Sequence, residues 1–203
     1  MSEQYPASVY RGPGDIVFEQ REVREPGPGE VLVRVGVCGI CGSDATEYAR
    51  GPVLARPPMV LGHEFAGTVE RTGPGVAGFP PGASVVAGAG IACGACKMCQ
   101  AGRTNLCTSY STLGLQHDGG LQGYVVAPAS TLLDVSDAGL PMDTLGLAQP
   151  MSIAVHTVRR SGLTSGQDAV IVGVGEGRGA ATEGQFVERA RIDFCGVGGR
   201  RCR

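Results

Sequence analysis

Four of the eight cysteines fall close together, as Cys93-Gly94-Ala95-Cys96-Lys97-Met98-Cys99 and then Cys107. The spacing C-x2-C-x2-C-x7-C lets one loop close four thiolates into a tetrahedral shell, which Zn²⁺ accepts because its d-electrons impose no geometry. Gly94 and Gly102 allow the backbone to wrap around an ion. Four thiolates leave no open position, so a zinc held there is structural. An iron–sulfur cluster is the chemical rival, since C-x2-C-x2-C also opens ferredoxin runs. The long last spacing and the absence of Pro after Cys107 weigh against it.

A second set is spread along the chain. Cys38-Gly39-Ile40-Cys41 taken alone is a candidate redox pair, although no thioredoxin-like βαβ pattern precedes it. Cys41-Gly42-Ser43-Asp44 and the later Gly62-His63-Glu64 add an imidazole and carboxylates to the thiol. Cys, His and Glu are all zinc ligands, and three protein ligands plus water make a catalytic zinc site. Such a zinc polarises an alcohol oxygen and lowers its pKa. A single histidine is by default a packed structural residue. Among the three histidines, His63 is the one flanked by Gly and Glu.

The elements that must position these groups read as β-rich over the first 135 residues. Val31, Val33, Val35 and Val37 alternate on one face of a strand over 30–37, preceded by the turn cluster Pro26-Gly27-Pro28-Gly29. Glu64 to Arg71 is a second strand, closed by Thr72-Gly73-Pro74-Gly75. Ala83 to Ala87 is a short apolar run, and Leu121 to Ala127 with Thr131 to Val135 form a further pair. Many short strands broken by Gly and Pro predict a barrel or sandwich. From about residue 141 the pattern changes. Pro150 suits the first turn of a helix running to Arg160, with Gly162 and Gly166 at its exit. Ala169-Val170-Ile171-Val172 then reads as a buried strand running into Gly173-Val174-Gly175, the way a nucleotide-binding βαβ unit begins.

Composition excludes several function classes. A net charge of −2 with 18% charged residues does not supply the basic field of a nucleic-acid binder. With 42% hydrophobic residues the chain can bury a core and is not an acidic disordered tail. Trp is absent, which disfavours aromatic stacking platforms. No apolar run approaches the roughly 18 residues of a membrane span. The opening Met1-Ser2-Glu3-Gln4-Tyr5-Pro6 lacks the basic and apolar segments of a secretory leader. The expectation is a cytoplasmic protein, where clustered cysteines hold metal more often than disulfides.

Taken in order, VGVCGICGSD at 35–44, LGHEFAGTVERTGPGV at 61–76, CGACKMCQAGRTNLC at 93–107, GGLQGYVVAP at 119–128 and QPMSIAVHTVRRSG at 149–162 form a specific set. The chain resembles the zinc-dependent alcohol dehydrogenases of the medium-chain dehydrogenase/reductase superfamily, in their sorbitol- and butanediol-dehydrogenase-like branch. The resemblance implies a GroES-like β-barrel catalytic domain followed by a Rossmann domain. It implies an alcohol or polyol oxidised to a ketone or aldehyde with NAD or NADP reduced, and one catalytic and one structural zinc. By position, Cys41, His63 and Glu64 correspond to the catalytic zinc ligands. Ser43 corresponds to the hydroxyl that takes the substrate proton, and Asp44 to the carboxylate that orients His63. Cys93, Cys96, Cys99 and Cys107 correspond to the structural zinc set, and Cys38 to no ligand, which leaves it a packed thiol. The implied partner is a small alcohol or polyol, with no nucleic acid and no membrane, and the full-length relatives are homo-oligomers.

Three positions depart from the family pattern. Gln149 stands where a Glu before Pro is frequent, and Thr46 where a His often follows the relay hydroxyl. The dinucleotide fingerprint G-x-G-x-x-G needs a third glycine where Arg178 stands; Gly173, Gly175 and Gly177 remain as cofactor-binding candidates. Asp193 lies near the expected distance for the acidic residue, but no β run is evident before it. The expected organisation is therefore a GroES-like zinc-binding domain over 1–145, a linking helix and first Rossmann strand over 146–175, and an irregular tail over 176–203. The break inside a motif points to a shifted frame or truncated gene. The alternative function is a zinc-binding GroES-like fragment that is catalytically inactive and binds no nucleotide.

Overall fold

The computed structural model describes residues 4–164, 167–172 and 191–195. They form two units, residues 1–147 and 148–203.

The first unit is built on two sheets, and this mainly β architecture is the expected one. A hairpin of β1 (Gln4–Gly12) and β2 (Asp15–Glu22) is followed by β3 (Glu30–Gly39), helix α1 (Gly42–Arg50), β4 (Met59–Val60) and β5 (Glu64–Thr72). Next come β6 (Ser84–Ala87), β7 (Gly90–Ile91), helix α2 (Lys97–Gln100), β8 (Ser111–Thr112), β9 (Tyr124–Pro128), β10 (Leu132–Asp134) and helix α3 (Met142–Leu145). The larger sheet has the order β10-β6-β5-β3-β9, the smaller β2-β1-β4, and β7 pairs with β8 alone. The two segments that read as a strand pair, β9 and β10, therefore lie on opposite edges of one sheet. Proximity in sequence suggests a hairpin, but β9 pairs with β3 and β10 with β6.

The main core lies on one face of the larger sheet. Val31 and Val33 of β3, Phe65 and Val69 of β5, Val85 and Ala87 of β6, and Val125 and Ala127 of β9 are all buried there. The period-two reading of β3 holds for Val31, Val33 and Val35. It fails at Val37, because the register against β5 slips between Val35 and Val37. The slip is a β-bulge at Gly36, and one extra residue turns every later side chain to the other face. Cys38 thus joins the core side in place of Val37.

Helix α1 escapes a sequence reading. Its N-cap is Cys41, and the Cys41 N–H donates to Asp44 Oδ2 at 2.8 Å. The carboxylate in the first turn and Arg50 in the last both complement the helix dipole. Seen only as sequence, Cys41 and Asp44 are chemistry-bearing residues, so their second use as cap and capping partner is hidden.

The second unit opens with α4 (Ala148–Ser161). Pro150 sits in its first turn as expected, and Gly162 follows its end with φ +73°, the left-handed conformation that terminates helices. Strand β11 (Asp168–Val172) is also where the sequence places it. The structure corrects the reading of 176–203 as wholly irregular, because Arg191–Cys195 forms β12, parallel to β11 with Val170 opposite Asp193. Only Ile192 and Phe194 alternate along this five-residue strand, too short a pattern to register as a β run. Among the described residues no helix is long and apolar enough to cross a membrane.

Candidate functional site

The bulge in β3 delivers the chain to Cys41 at the start of α1, and β5 begins at Glu64, directly after His63. These two junctions bring together groups separated in sequence. One ligand atom each from Cys41, His63 and Glu64 lies within 4.8 Å of the others. His63 and Glu64 are buried, at 8% and 3% exposure.

Asp44 ties the two junctions. It is 3% exposed. Its Oδ2 accepts the Cys41 N–H, its Oδ1 accepts the Gly62 N–H at 3.3 Å, and the same Oδ1 faces His63 Nδ1 at 3.8 Å. His63 Nδ1 and Ser43 Oγ are buried without a hydrogen-bond partner. Unpaired buried polar atoms are costly in a protein interior. A thiol, an imidazole and a carboxylate that converge within 4.8 Å suit a borderline-soft divalent cation such as Zn²⁺. Cys41, His63 and Glu64 could hold that ion.

Two backbone crossings fix the approach to His63. Gly62 has φ +93°, and Gly119 and Gly120 donate their N–H groups to Val60 O and Gly62 O at 2.8 and 2.7 Å. A Cβ on Gly119 would overlap the Gly62 carbonyl oxygen and come 2.6 Å from Gly114 Cα. Neither neighbour is a flexible side chain that could yield. Gly119→Ala is therefore expected to destabilise the fold by about 1–3 kcal/mol, the usual range for overpacking. Urea unfolding measures it, and an unchanged midpoint would contradict the packing described.

Cys38 is not part of the ligand set. It is packed beneath the core, and burial pushes its thiol up to about 12. The redox-pair reading of Cys38 and Cys41 thus has no support, because a disulfide-exchange cysteine needs an accessible thiolate. Thr46 does not extend a relay from Ser43, since its hydroxyl donates to Gly42 O at 2.9 Å. Gln149 lies in α4 of the second unit. Gly173, Gly175 and Gly177 lie outside the described residues.

The four clustered cysteines also converge. Ligand atoms of Cys93, Cys96, Cys99 and Cys107 lie within 4.8 Å of one another, with Cys96 Sγ 3.5 Å and Cys93 Sγ 4.0 Å from Cys99 Sγ. Backbone N–H groups already point at the sulfurs. Cys93 and Ser109 donate to Cys107 Sγ and Cys96 donates to Cys93 Sγ, each at 3.3 Å. N–H groups of Cys99 and Thr108 hold the Cys96 thiol down at about 5, and those of Cys93 and Ser109 lower Cys107, while burial and the neighbouring Cys96 sulfur push Cys99 up to about 12. Four sulfurs within 4.8 Å of one another could together hold a cation such as Zn²⁺.

Comparison with known proteins shows the family. The family model of the alcohol dehydrogenase GroES-like domain matches residues 27–137. The chain belongs to the zinc-dependent alcohol dehydrogenase family. The matched residues include both cysteine-containing clusters. A zinc-type alcohol dehydrogenase-like protein of Haemophilus influenzae is 38% identical over 176 residues, 86% of this chain and 51% of that one. Human sorbitol dehydrogenase is 37% identical over 171 residues, 82% of this chain and 48% of that one. A cobalt- and zinc-bound thermostable alcohol dehydrogenase of Pyrobaculum aerophilum superposes with a TM-score of 0.84 at 29% identity, covering 98% of this chain and 60% of that one. The chain spans about half the length of the curated relatives it matches.

Proposed function

We propose that this dehydrogenase-family chain carries the zinc-binding and proton-handling side of an NAD(P)-dependent alcohol or polyol dehydrogenase. The net reaction is alcohol plus NAD(P)⁺ to ketone or aldehyde plus NAD(P)H and a proton. The observation that carries the reading is the convergence of Cys41, His63 and Glu64 within 4.8 Å; Ser43, two residues after Cys41, has a buried hydroxyl without a hydrogen-bond partner.

Cys41, His63 and Glu64 are assigned as ligands of a catalytic zinc, which when bound supplies Lewis acidity toward the substrate hydroxyl. Asp44, whose Oδ1 faces His63 Nδ1 at 3.8 Å, is assigned as the carboxylate that orients the ring. Ser43 Oγ accepts the proton of the alcohol. Because Thr46 turns back to Gly42 O, the proton passes on through water. Cys93, Cys96, Cys99 and Cys107 hold a structural zinc. Gly173, Gly175 and Gly177 are assigned to the dinucleotide on the motif alone. The family resemblance supports a small alcohol or polyol as substrate and a cytoplasmic homo-oligomer as the working form.

The test is to follow NAD(P)H formation over a panel of secondary alcohols and polyols, with Ser43→Ala alongside. The expected result is alcohol-dependent turnover lost on chelation and reduced roughly 10²- to 10⁴-fold in the variant, the usual worth of a positioned proton-transfer group. Bound zinc without turnover or nucleotide affinity would leave the inactive zinc-binding fragment as the function.

A further inference from the structure

A cavity of about 590 Å³ lies in the first unit, and neither Ser43 nor any of the assigned zinc ligands is among its lining residues. That volume falls in the range of small-molecule sites. Alternate residues of a strand point to opposite faces of a sheet. Val31 and Val33 of β3 and Val125 and Ala127 of β9 face the main core. Leu32 and Val126, opposite each other in register, therefore face the other way, and both line the cavity. Leu32 is 1% exposed and gives the cavity an apolar floor. Tyr5 of β1 and Tyr124 of β9 add two rings, with centroids 5.5 Å apart in an edge-on contact.

The charged lining residues are held by one another and by the backbone. Arg21 Nη1 donates to Asp118 Oδ2 at 2.7 Å, and Asp118 Oδ1 accepts the Val60 N–H at 2.8 Å. Arg24 Nη1 and Nη2 donate to the Glu30 oxygens at 3.0 and 3.1 Å, and Glu30 Oε2 also accepts the Gly27 N–H. Glu22 and His117 complete the titratable lining, with His117 Nε2 3.0 Å from Ser111 Oγ. Two guanidiniums against three carboxylates leave the lining close to neutral. A charged ligand would give up its hydration there for groups that are already paired.

One lining residue offers a different chemistry. Gln122 is 9% exposed; its Oε1 accepts the Tyr5 hydroxyl at 3.2 Å and its Nε2 donates to Gly119 O at 2.8 Å. A primary amide has two N–H groups, so Gln122 keeps a second donor. The Tyr5 oxygen, having given its proton to Gln122, keeps lone pairs that accept. A donor and an acceptor thus stand side by side above an apolar floor. We propose that this cavity is a second small-molecule site, which takes an uncharged ring compound bearing an amide- or hydroxyl-type edge. The ring lies on Leu32 and Val126, and the edge pairs with Gln122 and Tyr5. The site does not depend on the dehydrogenase reading.

Three probes of one shape test it on the zinc-loaded chain: neutral benzamide, anionic benzoate and cationic benzamidinium, followed through the backbone amide resonances. Benzamide is expected to bind with a Kd of about 1 mM or tighter and to shift Leu32 and Val126. The two ions are expected to bind roughly tenfold or more weakly. Val126→Phe fills the cavity from a side chain outside the main core, and should weaken benzamide roughly tenfold with zinc content unchanged. Tyr5→Phe removes the acceptor alone and should weaken benzamide severalfold. An ion that binds as tightly as benzamide would overturn the ligand class. No binding by any probe, shifts centred on His63, or a benzamide affinity that neither variant changes would overturn the site.

Discussion

Replacing Cys107 with alanine is expected to remove one zinc per chain and to unfold the lobe over 93–107. The reason is how little else holds the lobe together. Its regular structure is α2, of four residues, and a 3-10 turn over Thr104–Leu106, and neither contains a buried residue. Cys107 is the buried member of the lobe and accepts two backbone N–H groups that the variant would leave unpaired. With no apolar core of its own, the segment depends on its cross-link to the metal, and binding energy there is folding energy. Structural zinc in small domains is worth about 10–16 kcal/mol at neutral pH. Losing one of four ligands should forfeit several kcal/mol of that. Metal analysis should show one zinc fewer, and limited proteolysis should cut between residues 93 and 107. A variant with full zinc content and native protease resistance would show that Cys107 is an ordinary buried thiol.

His63→Ala should have the opposite selectivity. It is expected to remove the other zinc, abolish any alcohol oxidation and leave the lobe intact. Loss of an outer partner of a metal ligand typically costs 10–100-fold in affinity or activity, so loss of the ligand itself should exceed that. The fold should survive, because the main core around Val33, Phe65 and Val125 does not include His63. The measurements are metal content, turnover and melting temperature for the same preparation. Retention of both metals would remove His63 from the ligand set. Asp44→Asn is a poorer probe, since Asp44 also caps α1 and holds the Gly62 N–H.

The two sites were legible in the sequence to different degrees, for a physical reason. The cysteine lobe is local: four ligands on one loop carry their spacing in the sequence itself. The Cys41, His63 and Glu64 site is assembled by two strand ends; its residue types suggested the chemistry, and the pairing of β3 with β5 supplies the convergence. The valine alternation in β3 was readable up to Gly36, where the bulge changed faces. The N-terminal hairpin β1–β2 was only part of a general β-rich impression. Its strands carry Arg and Glu among their apolar positions, and the pair Arg11 and Glu19 bridges across them at 2.6 Å. Glu47 was missed altogether, because one glutamate among polar neighbours looks like a solvated helix face. Only the fold shows that it is buried and that its partners are backbone amides six and seven residues on.

We propose that the first unit holds two zinc sites of different kinds, one closed and one with an open position. The direct measurement is zinc per chain during titration with a chelator, on the purified native protein. Two zinc ions are expected at the start. The ion held by three protein ligands should leave first, and the one held by four thiolates should stay until denaturant is added. A single zinc at the start, or two that leave together, would contradict the account.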